Sequence, residues 1–128
     1  MLKLDDRPRP LSPTLRDRKR YIAFQVISET KVLGSDVFSS IWHALLNFLG
    51  ERGVAEANVW LSKPNYDDVK QIGIIKCSHV SVEQVRTALA LVQRIGDTRS
   101  IINVLGVSGT IRAAKAKFFG EVDLMNFG

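Results

Sequence analysis

The chain has 128 residues, of which 45% are hydrophobic and 24% are charged, and it contains one cysteine. This length suits a single domain with a core that needs no disulfide support, and one cysteine excludes an internal disulfide. The charged, proline-containing start is not a signal peptide and no apolar stretch is long enough to span a bilayer, so we expect a cytoplasmic protein without a membrane partner.

The net charge of +5 is concentrated near the two ends of the chain. Residues 1–20 carry seven Lys and Arg against three Asp, and residues 99–119 carry four Lys and Arg with no acid. Residues 21–98 are nearly neutral, with seven basic and eight acidic residues. This pattern favours a polyanionic partner, and the alternative is an ordinary solubilising surface.

Residues 1–15 contain three of the four prolines and show no apolar period, which predicts an extended N-terminal arm before a single domain over residues 16–128. Residues 20–28 (RYIAFQVIS) predict the first strand, because β-branched and aromatic residues alternate there. One face of this strand would carry Ile22, Phe24 and Val26. The other face would carry Tyr21, Ala23, Gln25 and Ile27.

A first helix follows, with Ser35 or Asp36 as its N-cap and an end at Gly50 or Gly53. Its apolar residues recur at spacings of three and four, as on the buried side of a helix. They are Phe38, Ile41, Trp42, Leu45, Leu46 and Leu49.

Two strands, residues 57–63 and 69–77, are separated by turn residues 64–68 and predict an antiparallel hairpin. Ser81 and Gln84 form a capping-box pattern at the start of a second helix. Its predicted core stripe ends before Gly96 and consists of Val82, Val85, Leu89, Val92 and Ile95. Residues 99–107 predict the fourth strand, and a Ser-Gly-Thr turn then starts a C-terminal helix that reaches about Phe119.

The element order β-α-β-β-α-β predicts an α/β (α+β) sandwich of the ferredoxin-like type, with a four-stranded antiparallel sheet and both long helices on one face. The opposite face would still carry apolar side chains, which are rarely left open in a monomer. We expect the C-terminal helix to cover part of it through Ile111, Phe118 and Phe119, and a protein partner to cover the rest. The candidate interface residues are Ile101, Leu105, Val107, Phe118 and Phe119.

Catalytic and metal-binding residues are sparse in this sequence. The chain has two histidines, His43 and His79, and a single cysteine, so no histidine pair or Cys/His metal spacing is evident, and we predict neither a catalytic residue nor a metal ligand. Base stacking of the RNA-recognition-domain kind is not expected either, because the third strand has no aromatic residue. Tyr21 and Trp60 could stack on a base, but core packing is the commoner role of an aromatic residue in a strand, so base-stacking recognition is not expected.

The remaining interpretation is recognition of a phosphate backbone. Amide groups at the start of the C-terminal helix suit a phosphate, and the basic side chains add salt-dependent attraction. The alternatives are a simple cap for the turn and a solvated face for the helix. The candidate RNA-binding residues are Arg16, Arg18, Lys19, Arg20, Ser108, Gly109, Thr110, Arg112, Lys115 and Lys117.

Two segments, RYIAFQVIS at residues 20–28 and VLGVSGTIRAAKAKF at residues 104–118, resemble the ribonuclease P protein component 2 family in their order and spacing. The resemblance implies an archaeal-type protein subunit of the ribonucleoprotein that removes the 5′ leader from precursor tRNA. It implies that the RNA catalyses with Mg²⁺ while the protein binds no cofactor. It also implies a TIM-barrel-like partner, ribonuclease P protein component 3, with two such pairs joined into a heterotetramer, and only indirect contact with precursor tRNA.

Two other hypotheses remain open at this level. One is a small ferredoxin-like regulatory or ligand-binding domain that oligomerises through its sheet. The other is a protein nuclease acting through His79, against which the absence of a second placed histidine and of an acid pair already argues.

Overall fold

Residues 18–120 are described by the computed structural model, except for the side chains of residues 62, 63, 119 and 120. The predicted arm, Arg16 and residues 121–128 lie outside the described residues. The elements are β1 (Lys19–Ser28), α1 (Gly34–Ala57), β2 (Trp60–Asp67), β3 (Ile72–Ser78), α2 (Val82–Ala90), β4 (Arg94–Ile95), β5 (Thr98–Ser108) and α3 (Ile111–Ala114), which continues as a π-helical segment, Lys115–Gly120.

The strands form one antiparallel sheet in the order β2-β3-β1-β5-β4. With the short β4 set aside, this is the ferredoxin-like arrangement, so the predicted fold class is confirmed. We call the side of the sheet packed against α1 and α2 the helix face and the opposite side the outer face. The alternation predicted for β1 is also confirmed, since Ile22, Phe24 and Val26 are buried in the core beneath the helices.

The edge strand β4 was not predicted. The apolar spacing extended the second helix to Ile95, but α2 ends at Ala90. Ile95 is buried instead as part of a short hairpin, in which it pairs with Thr98. Gly96, with φ of 60°, makes the turn between the two strands. Over so few residues, the apolar pattern of a helix therefore cannot be distinguished from that of a buried edge strand.

The predicted N-cap of α1 was wrong, whereas the predicted N-cap position of α2 is confirmed. Leu33 is the N-cap of α1, and its carbonyl oxygen accepts a hydrogen bond from the amide of Val37 at 3.0 Å. Ser81 is the N-cap residue of α2 as predicted, but its side chain makes no capping hydrogen bond, and a 3₁₀ turn, His79–Ser81, leads into the helix. Gly50, with φ of 77° and ψ of 169°, breaks the helical geometry as predicted, but α1 resumes and extends to Ala57.

The β2–β3 hairpin is confirmed, but its turn lies later than predicted. β2 continues to Asp67 through a register shift between Leu61 and Tyr66, and the turn spans residues 68–71. Gln71 closes the turn with φ of 56°. Its side chain accepts from the amide of Val32 at 3.2 Å and donates to the carbonyl of Val26 at 3.0 Å, so it ties the hairpin to β1.

A β-bulge in β5 changes which of its residues face outward. The pairing of β1 with β5 shifts between Ala23 and Phe24, which leaves Leu105 as the extra residue. Val107 therefore packs against the core on the helix face. The prediction that Val107 shares the outer face with Leu105 was wrong, because simple alternation assumes an uninterrupted strand. The interface role of Val107 stays a prediction.

The C-terminal helix, Ile111–Gly120, packs on the outer face of the sheet. A second buried cluster forms there from Ala23, Ile74 and Ala114. Partly buried side chains that surround it are Tyr21, Leu105, Ile111 and Phe118. This confirms the expected covering by Ile111 and Phe118, whereas the side chain of Phe119 lies outside the described residues. Beyond the helix, Ile27 and Ile101 remain 48% and 57% exposed.

Candidate nucleic-acid interface

The basic segments at the start of β1 and after β5 meet at one end of the sheet. β1 and β5 are antiparallel neighbours, and Tyr21 pairs directly with Ser108. Lys19 and Arg20 therefore lie beside the turn that starts the C-terminal helix. The sequence predicts a basic character for each segment, but only this strand pairing places them together.

Most of the candidate cations point toward solvent. Arg18, Arg112, Lys115 and Lys117 are exposed, and Lys19 and Arg20 are half-buried. Within residues 18–120, no acidic side chain forms an ion pair with Arg112, Lys115 or Lys117; the pairs that are present, such as Arg52–Glu56, lie elsewhere. Unpaired exposed cations keep their full charge available for phosphates, at little cost to folding.

Two of the basic residues have defined local contacts. Arg20 donates through Nη1 to the carbonyl of Lys19 at 2.9 Å, which holds its guanidinium near the strand. The Nζ atom of Lys117 lies 5.6 Å from the centroid of the Phe118 ring, a cation–π distance. The carbonyl of Arg18 accepts from the amide of His79 at 2.7 Å, so residue 18 is tied to the end of β3.

The Ser108-Gly109-Thr110 turn acts as a helix cap. Thr110 Oγ1 accepts a hydrogen bond from the amide of Ala113 at 3.0 Å, and the Thr110 carbonyl accepts from Ala114 at 3.0 Å. Ser108 is half-buried in the strand, while Gly109 is exposed and has open space around its Cα. The capping interpretation of Thr110 is thus confirmed, and contact of the turn with a phosphate stays a prediction.

Three adjacent side chains continue this basic region across the outer face. Trp60 in β2 pairs with Lys76 in β3, and Lys76 pairs with Tyr21 in β1. Lys76 Nζ lies 5.0 Å from the centroid of the Trp60 ring. Trp60 is 59% exposed, so core packing does not explain it. Sequence analysis did not select Lys76, because the predicted turn at residues 64–68 would have placed Trp60 opposite Ile72 instead.

A second part of the outer face is apolar and open. Ile27 and Ile101 pair directly across β1 and β5, which gives a contiguous exposed patch. The patch borders a cavity of about 620 Å³ that Arg94 and Arg99 also line. Of the candidate interface residues, Ile101 thus lies in the open patch, while Leu105 and Phe118 are half-buried against the C-terminal helix.

Groups associated with catalysis do not cluster in the part of the chain that the structure describes. His43 and His79 are both exposed, on α1 and after β3, and Cys77 is buried. No set of three or more His, Cys, Asp or Glu residues among residues 18–120 is close enough to hold a metal ion.

The described helices also include none long and apolar enough to cross a membrane.

Comparisons with known proteins identify the family of this chain. Residues 20–119 match the Rpp14/Pop5 family. Ribonuclease P protein component 2 of Pyrococcus furiosus is 48% identical, over 92% of this chain and 97% of its own length. The protein of the same name from Methanocaldococcus jannaschii is 38% identical, over 86% of this chain and 79% of its own length.

A solved structure agrees with the fold. A chain in the cryo-EM structure of yeast ribonuclease MRP superposes with a TM-score of 0.57 and 12% identity, covering 86% of this chain and 96% of that one. The family match extends over nearly all of the described residues, from the basic start of β1 to the end of the C-terminal helix. This chain therefore belongs to the Rpp14/Pop5 family.

Proposed function

We propose that this chain is a protein subunit of ribonuclease P, the ribonucleoprotein that removes the 5′ leader from precursor tRNA. The observation that carries this proposal is the likeness to ribonuclease P protein component 2 along nearly the whole length of both chains. The regulatory or ligand-binding alternative has no comparable support, because a shared ferredoxin-like fold alone does not indicate a function.

The mechanism we propose is neutralisation of RNA phosphates at the end of the sheet. Exposed cations before β1 and along the C-terminal helix meet there, and each phosphate that they neutralise releases counterions. A folded RNA that packs its phosphates closely needs less Mg²⁺ when a protein supplies positive charge. The RNA would then carry out the reaction with its Mg²⁺, and the protein would support its fold without binding a cofactor of its own.

The proposed protein partner is the TIM-barrel-like component 3, and we place the contact at the exposed apolar patch of the outer face. Ile27 and Ile101 are large apolar side chains of the sheet with exposures of 48% and 57%, as expected of a surface that a partner covers. The same patch is available for association of two such pairs into a heterotetramer. Substituting Ile101→Asp should weaken either association without changing the basic surface.

Reconstituted cleavage of precursor tRNA tests the function. Ribonuclease P RNA and component 3 are combined with and without this chain over a range of Mg²⁺ concentrations. We expect the chain to lower the Mg²⁺ concentration needed for cleavage. Equal cleavage in both mixtures at every Mg²⁺ concentration, together with no binding of the RNA, would contradict the proposal.

Charge reversal tests the proposed surface. In the double variant Arg112→Glu and Lys115→Glu, affinity for the RNA should fall, and the slope of log affinity against log salt should decrease by about 0.7–0.9 for each phosphate that is no longer neutralised. The matched control is Arg52→Glu with Arg86→Glu, since both arginines lie on the helical layer across the sheet. An unchanged slope in the first variant would exclude this surface.

A further inference from the structure

The outer face carries a row of side chains suited to one flat ligand. Trp60, Lys76 and Tyr21 are cross-strand neighbours, with the lysine between the two aromatic residues. They line a cavity of about 230 Å³, whose walls also include Asn65, Ile74 and Ile111. The last of these belongs to the first turn of the C-terminal helix, so the cavity adjoins the proposed phosphate-binding surface.

We propose that this cavity binds an unpaired RNA base, which stacks on the indole ring of Trp60 while Lys76 attracts the adjoining phosphate. The inference rests on the proposed function, because it assumes that RNA is the ligand of the neighbouring basic surface. It adds a contact that neutralisation of phosphates alone does not supply.

The exposure of Trp60 is the first argument. Trp60 is 59% exposed although it lies in a strand, whereas the other tryptophan, Trp42, packs against the main core. Tyr21, in contrast, is half-buried beside the C-terminal helix, which fixes that side of the cavity. An exposed indole ring beside a structured wall offers a flat π surface, on which any base can stack.

The distribution of charge is the second argument. Lys76 lies 5.0 Å from the indole centroid, so the cation is held over the ring and beside the cavity. Lys19, two residues before Tyr21 on the same face of β1, and Arg112, next to Ile111 of the cavity wall, add positive charge at the same end of the sheet. A cationic rim around an aromatic surface matches a nucleotide, whose base is flat and whose phosphate is negative, better than it matches an apolar protein segment.

The sequence did not predict base stacking, because Tyr21 and Trp60 were interpreted as core residues and the third strand has no aromatic residue. In an RNA-recognition domain, aromatic residues of the two central strands stack the bases. Here the central strand β3 contributes a lysine, and the aromatic residues lie on its two neighbours, β1 and β2. The absence of an aromatic residue from β3 therefore does not exclude stacking at this site. A base in a double helix is already stacked on both sides, so the ligand must be unpaired.

Fluorescence of Trp60 tests the stacking contact. In the full-length Trp42→Phe variant, Trp60 is the only tryptophan, because the chain contains two. Single-stranded RNA oligonucleotides and duplexes with the same number of phosphates are then titrated in. We expect single strands to quench the fluorescence strongly and duplexes to quench it weakly. Equal quenching by both, or none by either, would overturn the proposal.

Affinity for ribonuclease P RNA gives an independent test. Trp60→Ala should weaken binding roughly 5- to 150-fold, the usual range for loss of one stacked base, and should leave the salt slope unchanged, because no charge is removed. Trp60→Phe should restore most of the affinity. Phe48→Ala is the matched control, since Phe48 is an exposed aromatic residue of α1 on the other side of the sheet.

The outcomes separate this proposal from the proposed function. If Trp60→Ala binds RNA as the wild type does while charge reversal at Arg112 and Lys115 weakens binding, the stacking site is wrong and the proposed function stands. If Trp60→Ala instead weakens only the association with component 3, the occupant of the cavity is a protein and the stacking proposal is overturned. If the wild-type chain binds no RNA at all, both proposals fail together.

Discussion

Phe118 lies directly against Gly106, so that a β-carbon added at Gly106 would come within 2.5 Å of Phe118 Cζ. The missing side chain in β5 thus makes room for the aromatic ring that holds the C-terminal helix on the sheet. This contact matters for the basic surface, because Arg112 and Lys115 are positioned by the same helix.

Substituting Gly106→Val should therefore displace the Phe118 ring. We expect a loss of about 1–3 kcal/mol in the free energy of unfolding, the usual cost of overpacking, together with weaker RNA binding. Urea denaturation measures the first effect and titration with RNA the second. Gly109→Ala is the control for stability, since a β-carbon added there meets nothing within 4 Å. Equal stability of Gly106→Val and the wild type would show that the ring does not depend on this glycine.

Thr110 provides a test that separates capping from phosphate contact. Its hydroxyl accepts from the amide of Ala113 at 3.0 Å, so Thr110→Ala should cost about 0.5–2 kcal/mol of unfolding free energy. Thr110→Ser keeps the capping oxygen and should restore stability. Thermal or urea unfolding of the three proteins measures this. Unchanged stability of Thr110→Ala would show that the cap contributes nothing. RNA affinity of the wild type and both variants, measured at a temperature where all are folded, separately reports any contact of Thr110 with a phosphate.

Gln71 joins the β2–β3 hairpin to β1 and to the residues before α1. Its amide group is hydrogen-bonded to Val26 and Val32 at 3.0 and 3.2 Å. Gln71→Ala leaves a partly buried carbonyl and amide without these partners, so we expect a loss of about 1–3 kcal/mol in the free energy of unfolding. Gln84→Ala, on the exposed side of α2, is the control. A loss no larger than that of the control would contradict the bridging role.

Tyr66 should make the fold sensitive to alkaline pH. Burial, with the nearby carboxylates of Asp68 and Asp67, raises the pKa of Tyr66 from 10.0 to about 12. Between these two pH values the folded state therefore keeps the hydroxyl neutral while the unfolded state ionises. The free energy of unfolding should fall progressively as the pH rises from 10.0 to about 12.

The variant Tyr66→Phe should remove this loss. The Tyr66 hydroxyl is buried without a hydrogen-bond partner among the described residues, so its removal should leave stability at neutral pH unchanged or higher. The ring contacts with Phe24 and Phe38, at centroid distances of 6.2 and 5.8 Å, are retained. Urea unfolding at neutral pH and above pH 10.0 measures both effects. An identical alkaline loss in variant and wild type would assign the effect to other groups.

Sequence periodicity predicted the elements whose signals are local. The alternation of Ile22, Phe24 and Val26 identified β1, and the three- and four-residue spacing of Ile41 and Leu45 identified α1, because each pattern depends on the geometry of one element. The order of those elements was then sufficient for the fold class. The N-cap of α1 and the strand β4 were missed, since short polar and apolar patterns fit more than one local structure.

The basic and apolar character of each segment was thus determined by the sequence alone, but its placement was decided by tertiary structure. Antiparallel pairing of Tyr21 with Ser108 brought the two cationic segments together, and the bulge at Leu105 turned Val107 toward the core. Pairing across three strands likewise placed Lys76 between Trp60 and Tyr21. These relationships depend on the register between segments far apart in the chain, and register is set by the combined packing of both faces of the sheet, which no single segment encodes.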